Sequence, residues 1–225
     1  MIRAEALSKT FHLHVRGGAR IEAFTGVSFQ VAAGQFLGVS GPSGSGKSSL
    51  LKCLYRTYVP TGGAIWYTDR ESRDRDLAVE DDHVILDLRR REIGYVSQFF
   101  PVIPRVSALD TLANGMVGRG FTRLESQARA RDLLTRLRIP RALWDLFPST
   151  FSGGEKQRLN IIHAVISRPR LLLLDEPTAS LDASAAEEAV SLMEELKRDG
   201  TAMIGVFHDR ALLSRLSDSV VELKR

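Results

Sequence analysis

The densest chemical signal in the chain is GPSGSGKSS, Gly41–Ser49. It satisfies G-x-x-x-x-G-K-[ST], follows the apolar stretch GQFLGVS and leads into a run with helical periodicity, SLLKCLY. Glycines at this spacing let backbone N–H groups turn inward around phosphate oxygens, at a helix start whose dipole favours anions. Gly41, Pro42, Ser43, Gly44, Ser45 and Gly46 are therefore predicted to form a phosphate cradle that Ser48 and Ser49 close at the helix start. Lys47 would reach the outer phosphates, and the Ser48 hydroxyl would ligate magnesium.

Three other places end an apolar run on a reactive group. LLLLDE, Leu171–Glu176, closes four leucines with two carboxylates, which a buried strand alone gives no reason to place there. Asp175 suits orientation of a magnesium ion, and Glu176 suits polarising the water that attacks a terminal phosphate. His208 follows AMIGVF, and Gln98 follows IGYVS. At such positions they would contact the γ-phosphate and sense the metal, so Ser48, Gln98 and Asp175 form the candidate metal set. Cys53, in the helical run after the loop, reads as a small core residue, and His12, His14, His83 and His163 read as structural.

A further segment, STFSGGEKQR (Ser149–Arg158), repeats the look of a phosphate cradle more than a hundred residues after the first. Ser152 and Glu155 form S-x-x-E ahead of Leu159, Ile162, Val165 and Ile166, a capping box opening a helix with one apolar stripe. Capping does not explain Gly153 and Gly154, each of which costs about 1 kcal/mol in helix propensity relative to alanine. Glycines belong there if a phosphate must approach the backbone.

Positioning these groups needs alternating strands and helices. The strand candidates GQFLGVS, IGYVSQ, LLLLDEP and AMIGVF are separated by helical patterns that include about 153–167 and 183–198, which implies a mostly parallel sheet covered on both faces. Ligands bind beyond the carboxyl ends of strands in such sheets, where all four reactive groups fall. Ahead of this core, residues 1–35 alternate apolar and polar positions around RGGAR, an antiparallel β layer with a hairpin. Residues 69–92 are rich in both charge signs and read as a solvated peripheral segment. Residues 99–150 turn helical between prolines at 101, 104, 140 and 148, a small helical subdomain within one domain spanning 1–225, with core segments 36–98 and 151–225.

Composition narrows the function classes. With 44% apolar residues, the 225-residue chain can fill a large core. Its 31 basic and 27 acidic residues are interleaved, which argues against a nucleic-acid surface. No apolar run approaches the ~20 residues of a spanning helix, and the N-terminus lacks a signal-peptide core. A single cysteine excludes internal disulfides and fits a reducing, cytoplasmic setting, peripheral at a membrane's inner face if a partner sits there.

Taken in order, GPSGSGKSS, SQ, FSGGEKQR, LLLLDEP, SLD and FHD resemble the ATP-binding cassette (ABC) family across nearly the whole chain. The resemblance implies an α/β P-loop nucleoside triphosphatase fold of the ABC type, with antiparallel β and α-helical subdomains, and a Mg2+-dependent ATPase with ATP as its nucleotide. It implies that Phe11, with Phe24 as its rival, stacks on adenine, and that Gln98 lies in the Q-loop. It also implies that Ser152, Gly153, Gly154 and Glu155 close over the ATP of a second cassette, homodimeric or heterodimeric and head to tail, with Asp182 of SLD coupling the two sites. Glu155 stands where many members carry glutamine, and His163 in NIIHAVISRP stands where transporter cassettes commonly carry arginine.

A closer likeness lies in YVSQFFPVIPRVSAL, LYRTYVPTGG, PSTFSGGEKQRLNI and VFHD, which resemble the L component of carbon–phosphorus lyase systems of phosphonate utilisation. That likeness implies soluble lyase subunits as partners and support of α-D-ribose 1-methylphosphonate 5-triphosphate synthesis. The alternative is the motor of a membrane transporter of the lipoprotein- or macrolide-export kind, with a permease helix received near Gln98. The motifs fit both.

Overall fold

A computed structural model describes residues 1–13, 19–100 and 102–224; His14, the Arg16–Gly18 part of the expected hairpin turn and Pro101 lie outside them. The chain opens with β1 (Ile2–Leu13) and β2 (Ala19–Val31), paired antiparallel. β3 (Phe36–Ser40) runs into the glycine-rich loop and α1 (Lys47–Leu54). β4 (Gly62–Thr68) and β5 (Asp74–Asp76) return to the first layer, giving a four-stranded antiparallel sheet in the order β2-β1-β4-β5.

After α2 (Asp82–Arg91) comes β6 (Ile93–Val96), and then the stretch between Phe99 and Thr150, which holds α3 (Ala108–Val117), α4 (Arg123–Arg136) and two single 3-10 turns. α3 starts on the Ser107 side chain, and α4 on a complete capping box of Thr122 and Glu125. α5 (Gly153–Val165), β7 (Leu171–Asp175), α6 (Ala183–Arg198), β8 (Ala202–Val206), α7 (Arg210–Leu216) and β9 (Ser219–Glu222) complete the chain.

The second sheet has five strands in the order β6-β7-β8-β3-β9, with every pairing parallel. Its leucine run explains itself in two cores. Leu171 and Leu173 face the cluster shared with α1 and the antiparallel sheet, whereas Leu172 and Leu174 face the cluster built on α3 to α7. A strand covered on both faces must be apolar at every position. The register then sets the chemistry. Val206 pairs with both Val39 and Asp175, and Leu174 pairs with Val96, so the residues following β3, β6, β7 and β8 emerge together at one edge.

Two expectations need correction. The β layer is not confined to 1–35, because β4 and β5 complete it from the stretch assigned to the core; their pairing with β1 is long-range and leaves no local pattern. Nor is 69–92 a merely solvated segment. Its few apolar residues serve as anchors, with Leu77, Ile85 and Leu88 buried. Its charges satisfy one another: Asp69, only 2% exposed, accepts from the Glu71 and Arg73 N–H groups and from the Nε atoms of Arg73 and Arg75 at 2.8–2.9 Å. Glu92 likewise accepts from the Tyr67 hydroxyl at 2.9 Å and from Arg170 at 3.1 Å.

Burial alone would raise the Asp69 pKa, but the hydrogen bonds from Arg73 and Arg75 outweigh it and hold the carboxyl well below the usual carboxylate range. The folded pKa therefore lies below the unfolded one, and this stabilisation is complete at neutral pH and lost in acid. Asp69→Asn is expected to lower stability at neutral pH by about 2 kcal/mol in urea unfolding. The gap from the native chain should close as pH falls from about 5 towards about 2.

Candidate functional site

The loop between β3 and α1 has the backbone shape that its glycines imply. Gly41 (φ 140°), Gly44 (φ 77°) and Gly46 (φ 87°) occupy conformations that L side chains rarely adopt. At Gly46 a Cβ would also fall far inside the van der Waals radius of the Ala23 carbonyl oxygen, and at Gly41 it would lie 2.5 Å from the Leu223 carbonyl oxygen. Gly46 caps α1 without a side chain, so the first N–H groups of that helix keep their donor capacity for an anion. Lys47 Nζ donates to the Gly41 and Pro42 carbonyls at 2.8 and 2.9 Å, curling over the loop it belongs to. The Ser45 hydroxyl is buried beneath the loop and, among the described residues, has no hydrogen-bond partner.

Opposite the loop stand the strand-end groups. Ser48 Oγ donates to Asp175 Oδ1 at 2.9 Å, and the Tyr95 hydroxyl donates to Asp175 Oδ2 at 3.2 Å. Burial, reinforced by the Asp175 charge, pushes the Tyr95 pKa up, so the phenol stays protonated. Glu176 has φ 55°, a left-handed conformation that costs a non-glycine residue about 1 kcal/mol or more. Its N–H bonds the Val206 carbonyl at 3.0 Å, and its Oε1 accepts from His208 Nε2 at 2.8 Å. His208 is largely exposed and Glu176 mostly buried, so the imidazole reaches from the rim to the carboxylate.

One cleft of about 480 Å³ gathers Phe11, Gly41, Ser43, Gly44, Gly46, Lys47, Ser48, Ser49, Gln98, Glu176 and His208. Pro42 lies on the loop's other flank, in a neighbouring cavity that also reaches Lys47 and His208. The two candidate phenylalanines have different surroundings. Phe24 is 3% exposed within the core, whereas Phe11 opens on the cleft with its ring edge-on to Tyr58 at 5.2 Å. Lys9 Nζ lies 4.9 Å from the Phe11 ring centroid.

Ser152, Gly153, Gly154, Glu155 and Asp182 do not line this cleft. Ser152 caps α5 with both halves of the capping box formed, its hydroxyl accepting from Glu155 N–H and Glu155 Oε2 accepting from Ser152 N–H. A Cβ at Gly153 would meet nothing within 4 Å, and one at Gly154 would sit 3.0 Å from the Ser180 carbonyl oxygen. Helix packing therefore does not require a glycine at 153. Asp182 caps α6 by accepting from Ala185 N–H, the bond that chiefly lowers its pKa.

Three supporting residues carry no motif and escaped sequence reasoning. Tyr95 reads as one residue of a buried strand. Asn160 Nδ2 donates to the Ser97 carbonyl at 2.6 Å, tying α5 to the loop of Gln98, and buried Gln157 donates to the Pro177 carbonyl at 3.0 Å. The only available signal was polarity on the apolar face of α5.

A parallel sheet that delivers a phosphate-type loop, two carboxylates, a histidine and a glutamine to one edge defines a nucleotide-hydrolysing α/β cassette. The family model described as ABC transporter matches residues 24–179, and the chain belongs to this family. It is similar to the lipoprotein-releasing system ATP-binding protein LolD of Idiomarina loihiensis, 35% identical over 96% of this chain and 91% of the relative. It is also 33% identical to the macrolide export ATP-binding/permease protein MacB of Brucella abortus, matching along its whole length but spanning about 33% of that relative. Among solved structures, the dimeric post-hydrolysis state of the ATP-binding cassette MJ0796 bound to ADP and Pi superposes with a TM-score of 0.89 at 28% identity, covering 100% of this chain and 94% of that one. The chain is thus an ABC ATPase that binds ATP with Mg2+. The Ser48 hydroxyl and the Asp175 carboxylate, side by side, are the hard oxygen donors that this cation favours.

Phe11→Ala is expected to weaken ATP binding about tenfold in equilibrium titration, in line with roughly 1–3 kcal/mol for aromatic stacking on a base. Phe24→Ala should instead lower folding stability by about 3–5 kcal/mol in denaturant unfolding.

Proposed function

We propose that residues 1–225 work as one cassette that hydrolyses ATP only when paired head to tail with a second cassette. The observation that supports this is the split between the catalytic cleft and the α5 start. The loop, Gln98, Glu176 and His208 share one cleft, while Ser152, Gly153 and Gly154 present an N-terminal helix end, with space over Gly153, elsewhere. A helix end with accessible N–H groups suits a phosphate delivered by another chain.

In this reading Gly41 to Ser49 hold the nucleotide, with the backbone N–H groups on the phosphates, Lys47 on the outer phosphates and Phe11 on the base. Ser48, Asp175 and Gln98 hold magnesium, which when bound neutralises charge on the phosphates. Glu176 accepts hydrogen-bond character from the attacking water, and His208, already bonded to Glu176, fixes that carboxylate and faces the γ-phosphate. Ser152 to Glu155 close over the neighbour's γ-phosphate, and Asp182 couples the two sites.

The partner that ATP turnover serves admits two readings. The names of the relatives, a lipoprotein-releasing system protein and a macrolide export ATP-binding/permease protein, support a membrane permease as partner, with this chain peripheral at the inner face. Phe99, which follows Gln98 in the chain, and Ile103 are exposed and give such a partner apolar side chains to land on. The second reading, a cytoplasmic subunit of the carbon–phosphorus lyase system supporting ribose 1-methylphosphonate triphosphate synthesis, rests on YVSQFFPVIPRVSAL, LYRTYVPTGG and PSTFSGGEKQRLNI. His163, which packs edge-on to Phe100 at 5.8 Å, departs from the arginine common in transporter cassettes, but the relatives' names support the first reading better. Affinity purification of the native protein separates them: a stoichiometric polytopic permease selects the first and soluble lyase subunits the second.

Glu176→Gln should slow ATP turnover at least 100-fold and accumulate an ATP-bound dimer on gel filtration, since the positioned base is worth roughly 10²–10⁴ in rate. Gly153→Asp should abolish turnover while ATP affinity changes less than about twofold, because its Cβ meets nothing in its own chain. Equal loss of turnover and binding in Gly153→Asp would reduce the α5 start to a fold element.

A further inference from the structure

Asp175 is 2% exposed and carries a charge that its surroundings must orient as well as neutralise. A buried carboxylate rotates about its terminal torsion unless both oxygens are held, since that torsion is broad and roughly twofold. Oδ1 is held by the Ser48 hydroxyl at 2.9 Å, from the residue that would share the magnesium. Oδ2 is held by the Tyr95 hydroxyl at 3.2 Å, from β6, the strand next to β7. The two bonds approach from opposite sides of the carboxylate, one from the nucleotide loop and one from the sheet.

The Tyr95 ring is itself fixed. It packs on Tyr55 with centroids 4.9 Å apart and planes inclined at 38°. Tyr55 is clamped from α2, where the Arg89 guanidinium lies 4.4 Å from the ring centroid and Arg89 Nε donates to the Tyr55 carbonyl at 2.7 Å. The phenol is thus a rigid donor on a rigid strand, aimed at the oxygen that Ser48 leaves free. A phenylalanine would fill the same space among the same apolar neighbours, so packing alone gives no reason for the hydroxyl.

We propose that Tyr95 is a positioning residue for the metal site: its hydroxyl holds Asp175 Oδ2 so that Oδ1 is presented, together with Ser48, to the magnesium of the bound nucleotide. The inference rests on the reading of Asp175 as part of the metal set. Outer partners that orient a metal-binding carboxylate typically alter metal affinity by about 10–100-fold, and the bond here is of ordinary length and single, so the effect belongs at about the tenfold end. Tyr95 touches neither nucleotide nor metal in this scheme, and nucleotide affinity without metal stays as it is.

The test is titration of the ADP-loaded chain with Mn2+, followed by the electron paramagnetic resonance signal of the free ion, with ADP affinity in EDTA and melting temperature measured alongside. Tyr95→Phe should raise the Mn2+ dissociation constant about tenfold and leave ADP affinity in EDTA unchanged, with a modestly lower melting temperature because a buried carboxylate oxygen loses its donor. Tyr55→Phe, which keeps the stacked ring and does not touch Asp175, should bind Mn2+ like the native chain. A Tyr95→Phe affinity within twofold of native, with Asp175→Asn much weaker, overturns the role of Tyr95 and leaves the reading of Asp175 standing. Native Mn2+ affinity in Asp175→Asn overturns that reading and the inference with it. Loss of ADP affinity in EDTA in Tyr95→Phe would make the hydroxyl a structural contact instead.

Discussion

The position of β8 between β7 and β3 is the constraint from which the active edge follows. Val206 is paired on one side with Val39 and on the other with Asp175, and its carbonyl accepts the N–H of Glu176. Side chains alternate across a sheet, so a slip of one residue would send Asp175 to the wrong face and part it from Ser48. Register is held because both faces are buried. The four inner strands β3, β6, β7 and β8 face one apolar cluster on each side, and a slip of any of them would exchange its side chains between the two. Placement of two carboxylates near a phosphate loop is therefore maintained by apolar packing on either side of the sheet rather than by the polar groups themselves.

Much of this was legible in the chain because its chemistry is written locally. GPSGSGKSS needs its glycines in place, and Gly41, Gly44 and Gly46 adopt positive φ. LLLLD reads as a doubly covered strand, and Ser152 with Glu155 announces a helix start that forms as a capping box. What escaped is long-range. β4 and β5 join a sheet whose founding strand lies some sixty residues earlier, and no local periodicity marks that pairing. The charge-rich stretch 69–92 looked solvated because arginine and carboxylate content is read as exposure, yet its ions pair inward around Asp69 and Glu92. Composition cannot tell a charge facing water from one facing its partner. Phe11 and Phe24 were indistinguishable for the same reason, since only the fold separates a ring on a cleft from a ring in a core.

One buried charge, one strained residue and one buried hydroxyl stand close together at the active edge. Glu176 holds a left-handed backbone at the end of a strand, Asp175 is enclosed and doubly bonded, and the Ser45 hydroxyl under the loop has no partner among the described residues. Such features persist where the surrounding structure over-determines them. Two apolar clusters and a continuous five-stranded sheet provide that support at the edge where phosphate chemistry needs fixed dipoles instead of mobile water.

Lys47 adds a consequence for how firmly a nucleotide can be kept. Its ammonium is engaged with the Gly41 and Pro42 carbonyls, so an arriving polyphosphate competes with the loop's own oxygens for the same three donors. Each such bond is worth roughly 1.5–3 kcal/mol to a charged group, and the exchange returns only the difference. A loop that supplies its own rival to the ligand lowers affinity for substrate and product alike.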